Sequence, residues 1–169
     1  TGPIPMILRP GYITKEMLEQ VLDCVTVDQA ILAENSDKNF HPKAPGMKYK
    51  HYAPKGDLTI VEGAPEDVAR CINALTDQAQ DKGLQTAVIA TDETKASYTC
   101  SRVFSIGTRV HEESIAQNLF EILRKMDTLS VDVIYSESFE GGGLGQAIMN
   151  RLLKAAGHHV IQANQSRSE

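Results

Sequence analysis

From residue 57 onward, short runs of apolar and β-branched residues alternate with longer segments in which apolar positions recur every three or four residues. Leu58–Val61, Thr86–Ala90, Arg102–Ile106 and Val131–Tyr135 have the length and composition of strands, and His158–Ile161 of a short fifth. Ala64–Gln80 carries Val68, Cys71, Ile72 and Leu75 on one helical face. Glu112–Met126 does the same with Ile115, Leu119, Ile122 and Leu123, and Gly145–Ala156 makes a third helix. Strands and helices joined by short turns imply parallel strands with helices over both faces, because crossover connections are right-handed. The predicted class is therefore α/β: a Rossmann-like three-layer α/β/α sandwich with a mainly parallel sheet of about five strands.

Upstream the pattern is sparser. Pro5–Arg9 reads as a strand ended by Pro10-Gly11, and Thr14 as the N-cap of a helix with Glu16 in its first turn and Met17, Leu18, Val21 and Leu22 on one face. Val25, Val27, Ile31 and Leu32 suggest a further extended piece. Apolar content then collapses until Leu58, across a stretch holding Pro42, Pro45, Pro54, Gly46 and Gly56. The expected division is a strand-helix remnant of another domain over 1–32, a linker over 33–56, the sandwich over 57–162 and a polar, disordered tail over 163–169.

Charge changes this picture by its distribution. The 169-residue chain has a net charge of −5, yet Lys38–Lys55 contains five lysines, two histidines and no acid, so the remainder carries roughly −10. That balance argues against a whole surface built for nucleic acid and points to an anionic ligand near one basic segment. No run of eighteen apolar residues could cross a bilayer, and the opening Thr1-Gly2-Pro3-Ile4-Pro5 lacks the layout of a signal peptide, which predicts a cytoplasmic protein and an interior piece of a longer polypeptide. Cys24, Cys71 and Cys100 are odd in number and widely spaced, as expected of reduced, partly buried thiols.

The densest chemical signal is Pro45-Gly46-Met47-Lys48-Tyr49-Lys50-His51-Tyr52-Ala53-Pro54. Lysine ammoniums and a histidine can donate to phosphate oxygens, tyrosines can stack or donate, and prolines on both sides reduce the entropy lost on ordering. Without a partner the same segment is a solvated basic loop. Gly141–Gly145 follows the fourth strand but matches neither GxGxxG nor GxxxxGK[ST]; it suits a tight turn better than a phosphate cradle. Ser136, Glu137, Ser138 and Glu140 fall at the carboxyl edge of the sheet, where such folds bind ligands, although the two acids oppose a phosphate. His158-His159 reads as the end of a helix, with no zinc-like spacing around it, so no metal site is expected.

Pro45–Pro54 resembles the signature linker of the long, two-domain threonylcarbamoyl-AMP synthases, in which a YrdC-type catalytic domain precedes a smaller C-terminal domain. Leu8-Arg9-Pro10-Gly11 is similar to the end of that catalytic domain, and Gly142–Arg151 to the closing helix of the C-terminal one. The likeness runs to about Ile161. It implies an enzyme, a nucleotidyltransferase, that makes threonylcarbamoyl-AMP and pyrophosphate from L-threonine, bicarbonate or carbon dioxide, and ATP. The product serves threonylcarbamoyladenosine formation at position 37 of tRNA. By the same resemblance, Arg9 is a phosphate contact, and Lys48, Tyr49, Lys50, His51 and Tyr52 form a lid near ATP and pyrophosphate. Catalytic residues, the threonine site and most ligands of a Mg²⁺ accompanying ATP would belong to the catalytic domain, so the fragment alone is expected to be inactive. The implied partners are that domain, ATP, L-threonine, bicarbonate and downstream tRNA-modifying proteins, with a direct tRNA contact through the lysines as a further option. The competing reading is a regulatory module that binds a nucleotide or a partner protein, with the linker a passive tether.

Overall fold

A computed structural model describes residues 4–8, 13–28, 53–139 and 144–163. Near the start, β1 (Met6–Ile7) pairs in parallel with β2 (Thr26–Val27), and between them lies α1 (Lys15–Glu19). Thr14 caps α1 as expected, its hydroxyl accepting from Met17 N–H at 3.3 Å. The helix is only five residues long, and its apolar residues and those just after it are open to solvent: Val21 is 78% accessible and Met17 43%. Ile31 and Leu32, expected to extend this piece, lie outside the described residues.

The main body is β3 (Asp57–Glu62), α2 (Pro65–Asp81), β4 (Thr86–Ala90), β5 (Val103–Ser105), α3 (Glu112–Thr128), β6 (Val133–Glu137), α4 (Leu144–Ala155) and β7 (Val160–Gln162). A single 3-10 turn, Lys95–Ser97, lies between β4 and β5. The sheet order is β5-β4-β6-β3-β7, and every pairing is parallel. Val61, Val68, Ile72, Val88 and Tyr98 form the core beneath α2. Ile60, Ile89, Ile115, Leu119, Ile134, Ile148 and Leu152 form the core beneath α3 and α4 on the opposite face. The predicted three-layer α/β/α sandwich is therefore what the chain adopts. β4 is buried at all five positions, which is why its sequence is an unbroken apolar run rather than an alternation.

Local chemistry fixes the element ends. Pro65 begins α2 with Glu66 and Asp67 in its first turn, where acids complement the helix dipole. After α3, Ser130 adopts φ 51 and the Val131 N–H bonds Met126 O, so the strand expected to begin at Val131 begins at Val133 and continues to Glu137. Gln162 pairs with Glu62 at the end of β7, within the expected sandwich, and Ala163, assigned to the tail, is buried with Val61 and Val68. Residues 164–169 lie outside the described residues.

Candidate functional site

Two features of the sandwich are candidates for function: the entry of the chain at Pro54–Asp57, and the carboxyl ends of the central strands. At the first, Pro54 is buried and Lys55 N–H donates to Asp127 Oδ1 at 2.7 Å, fastening the chain to the C-terminal part of α3. Gly56 follows in a position only glycine fits: a Cβ there would lie 2.3 Å from Val131 O and 3.1 Å from Asp132 O. Asp57 N–H then bonds Asp132 O at 2.8 Å as β3 begins. The chain entering β3 is thus fastened at Pro54–Asp57 by burial, two hydrogen bonds and a close backbone approach.

The crevice arises from topology. β4 connects leftward to β5 over the α2 face, whereas β6 connects rightward over the α4 face, and the two strands are neighbours. Chains leaving adjacent strands on opposite faces open a gap at their carboxyl ends, the usual ligand position in such sheets. Glu137 ends β6 there, only 2% exposed. Tyr98 Oη donates to its Oε1 at 2.6 Å, Arg109 Nη2 to its Oε2 at 2.7 Å and Thr91 Oγ1 to Oε2 at 3.5 Å, while Thr94 Oγ1 makes a short bond to Oε1. The Arg109 side chain is 39% exposed; it also donates to Ser138 O at 3.2 Å and lies 5.3 Å from the Phe139 ring centroid.

Several loops are tied by these contacts. Thr91 and Thr94 come from the turn after β4, Tyr98 from the approach to β5, Arg109 from the loop before α3, and Glu137 from β6. Gly107, at φ 137, permits that loop to turn; a Cβ on it would sit 2.3 Å from Ser114 Oγ. Glu93 holds the next residues by accepting from Thr108 Oγ1 and from Arg109 N–H at 2.9 Å. The Thr108 hydroxyl, first among its donors, lowers the Glu93 carboxyl from 4.5 to about 2. Burial, followed by the bond to Glu137, pushes the Tyr98 hydroxyl above its ordinary value.

Chemically, Glu137 is an anchor. Four donors converge on its two oxygens, so it holds Arg109 and the surrounding loops in place and offers no free oxygen as a base. Ser136 is buried with its hydroxyl donating to Glu137 O at 3.0 Å, whereas Ser138 is half-buried and its N–H bonds Val61 O. Glu140 and Gly141–Gly143 lie outside the described residues, as do Arg9, Lys48, Tyr49, Lys50, His51 and Tyr52. His158 adopts φ 63 and His159 N–H bonds Ala156 O, ending α4 as expected. Among the described residues no cluster of three or more His, Cys, Asp or Glu could hold a metal ion, and the donor sets at Glu137 and Glu93 are already engaged. No helix among them is long and apolar enough to cross a membrane. The three thiols are free; Cys24 is exposed rather than partly buried, Cys71 half-buried and Cys100 buried.

Arg109, Tyr98, Thr91 and Thr94 escaped the sequence reading because they lie in irregular connections, Thr91, Thr94 and Tyr98 between β4 and β5 and Arg109 before α3, where no periodicity marks them. The available signal was Glu137 itself, an acid closing an apolar strand, which requires a cationic partner if the strand is central.

The family described as "Threonylcarbamoyl-AMP synthase, C-terminal domain" matches residues 13–157. Threonylcarbamoyl-AMP synthase of Bacillus subtilis is 44% identical over 159 residues, which are 94% of this chain and 44% of that protein. A structure of Pyrococcus abyssi Sua5 complexed with L-threonine superposes with a TM-score of 0.76 at 40% identity, covering 93% of this chain and 44% of the other. The same protein with an adjacent histidine and tyrosine both changed to alanine gives 0.79 at 39% identity over 96% of this chain and 44% of the other. The C-terminal Sua5 domain from Pyrococcus horikoshii gives 0.53 at 35% identity, with 65% of this chain covering 99% of that domain. The chain therefore spans less than half the length of the curated relatives it matches.

Proposed function

Given that this chain belongs to the threonylcarbamoyl-AMP synthase C-terminal domain family, we propose that it is the linker and C-terminal domain of an enzyme that makes threonylcarbamoyl-AMP and pyrophosphate from L-threonine, bicarbonate or carbon dioxide, and ATP. The enzyme acts in the cytoplasm and supplies the tRNA position-37 modification. Residues 1–32 are the end of its catalytic domain, 33–56 the tether and 57–162 the sandwich. The exposure of Ile4, Met6, Leu8, Ile13, Met17 and Val21 supports this division, since a strand-helix piece so open requires a larger body to cover it.

The observation that carries the proposal is the basic linker. Charge accumulates on the triphosphate as pyrophosphate leaves, and cations aimed at its oxygens stabilise that transition state. Lys48 and Lys50 supply point charges, Arg9 a planar fork, and Tyr49, His51 and Tyr52 further donors. His51-Tyr52 is the one adjacent histidine–tyrosine pair in this sequence, the same pairing altered in the P. abyssi variant. The fixed root at Pro54–Asp57 supports a lid that swings from a defined point and excludes water over the nucleotide. Magnesium would travel with ATP and be held mainly by residues of the catalytic domain.

Pyrophosphate release from ATP tests the division of labour. The purified 169-residue chain should give no release dependent on threonine and bicarbonate, and such release would overturn the assignment of catalysis to a separate domain. A passive tether is separated from a lid by calorimetry with pyrophosphate on the wild-type chain and on Lys48→Ala/Lys50→Ala. The lid loses heat of binding in the variant, and the tether does not change.

A further inference from the structure

Asp127 occupies a position that its own helix disfavours. It lies in the last turn of α3, where the backbone carbonyls make the helix end negative and cations such as Lys125 are favoured. That end is closed without its side chain: Leu129 N–H bonds Lys125 O at 3.0 Å, Ser130 N–H bonds Asp127 O at 3.2 Å and Val131 N–H bonds Met126 O at 3.3 Å. Among the described residues Asp127 enters no salt bridge. Its carboxylate, on a half-buried side chain, instead accepts from the Lys55 amide, 72 residues upstream, at 2.7 Å. An ionised acceptor on a backbone N–H is among the stronger hydrogen bonds a fold makes. A local cost set against one long-range contact marks a residue placed for that contact.

We infer that Asp127 is a positioning residue for the proposed reaction: it pins the chain at Lys55, so that the basic linker leaves the sandwich from one fixed point. The inference rests on the reading that the linker meets the nucleotide. Lys55 stands three positions after Tyr52, a length of chain that reaches at most about 11 Å, so the pin acts next to the basic cluster. Contacts on either side limit what it does. Downstream, Gly56 fits closely against Val131 O and Asp57 N–H bonds Asp132 O at 2.8 Å, so β3 starts in the same place without Asp127. Upstream, Pro54 is buried but has no N–H with which to hold the backbone. Loss of the Asp127 bond therefore frees the chain ahead of Gly56 and leaves the sandwich folded. A misplacement of about 1 Å at a reacting centre can cost on the order of a hundredfold in rate, so slack at this point is enough to be read in turnover.

Hydrogen exchange on the 169-residue chain and kinetics on the full-length parent polypeptide test this together. In Asp127→Ala the Lys55 amide should exchange at least about tenfold faster while most of the thermal stability stays. In Asp127→Asn, whose Oδ1 still accepts, it should exchange as in wild type. In the parent, Asp127→Ala should raise KM for ATP and lower kcat/KM for ATP by roughly tenfold or more, with KM for threonine unchanged. Asp127→Asn should restore kcat/KM to within about threefold of wild type. A purely structural role would lower kcat alone, through loss of folded enzyme. That result overturns the proposal, as does an unchanged Lys55 amide or full kcat/KM in Asp127→Ala. Lys48→Ala/Lys50→Ala in the same assay separates the two claims. Full activity in the lysine variant removes the reading on which the pin rests, whereas a slow lysine variant beside a fully active Asp127→Ala removes the pin alone.

Discussion

Replacing Arg109 with methionine isolates what the buried carboxylate at the crevice requires. Methionine keeps most of the side-chain bulk over Phe139 but removes the charge facing Glu137, which is 2% exposed. Stripping one partner from a fully buried pair costs about 3–5 kcal/mol. Here the arginine is 39% exposed and Glu137 keeps the Tyr98, Thr94 and Thr91 hydroxyls, so the cost should fall to about 2 kcal/mol. With a urea dependence of about 1–1.5 kcal/mol/M, the unfolding midpoint should drop by about 1.5 M. Glu137→Gln should cost less, since the orphaned arginine can turn to water, and the double variant Arg109→Met/Glu137→Gln should recover about 1 kcal/mol of the summed loss. Equilibrium urea unfolding of the four proteins measures this directly. A midpoint shift below about 0.3 M for Arg109→Met, or additive single losses, would show that Glu137 does not depend on Arg109 and that the cluster fastens nothing.

Further outcomes follow from the same contacts. Gly56→Ala places a methyl 2.3 Å from Val131 O and should cost about 1–3 kcal/mol in urea unfolding, with the Lys55 and Asp57 amides losing protection in hydrogen exchange. Asp127→Ala should spare most of the stability but release the Lys55 amide, visible as faster exchange at that position. The Glu93 carboxyl is lowered to about 2 in the folded chain, so its contribution is complete above its ordinary 4.5 and is lost as pH falls from 4.5 through about 2. Glu93→Gln should flatten the loss of thermal stability across that window and leave the neutral-pH slope unchanged; the effect is modest because the side chain is exposed.

Periodicity in the sequence located the sandwich because its elements are governed by burial. Thr86–Ala90 matched residue for residue, since a central strand buried on both faces leaves an unbroken apolar run with polar ends. The β6 register slipped by two residues for a physical reason. Val131 and Asp132 look like strand but serve the turn from α3, and the strand ends on Ser136 and Glu137, polar residues whose burial depends on partners far away in sequence. Hydropathy cannot see that Arg109 will arrive at Glu137 from 28 residues upstream, or Tyr98 from 39. The basic linker, by contrast, was conspicuous because its signal is local density: Lys48, Tyr49, Lys50, His51 and Tyr52 are consecutive and framed by Pro45 and Pro54. For α1, helical spacing identifies an apolar side without identifying what covers it, and Met17, Val21 and Leu22 are exposed.

The most direct test is made on the full-length parent polypeptide, with threonylcarbamoyl-AMP formation from ATP, threonine and bicarbonate compared between wild type and Lys48→Ala/Lys50→Ala/His51→Ala. Loss of transition-state contacts to the triphosphate predicts a fall of at least about a hundredfold in kcat/KM, with the sandwich still folded. Unchanged kcat/KM in the neutralised variant would contradict the role given to the linker.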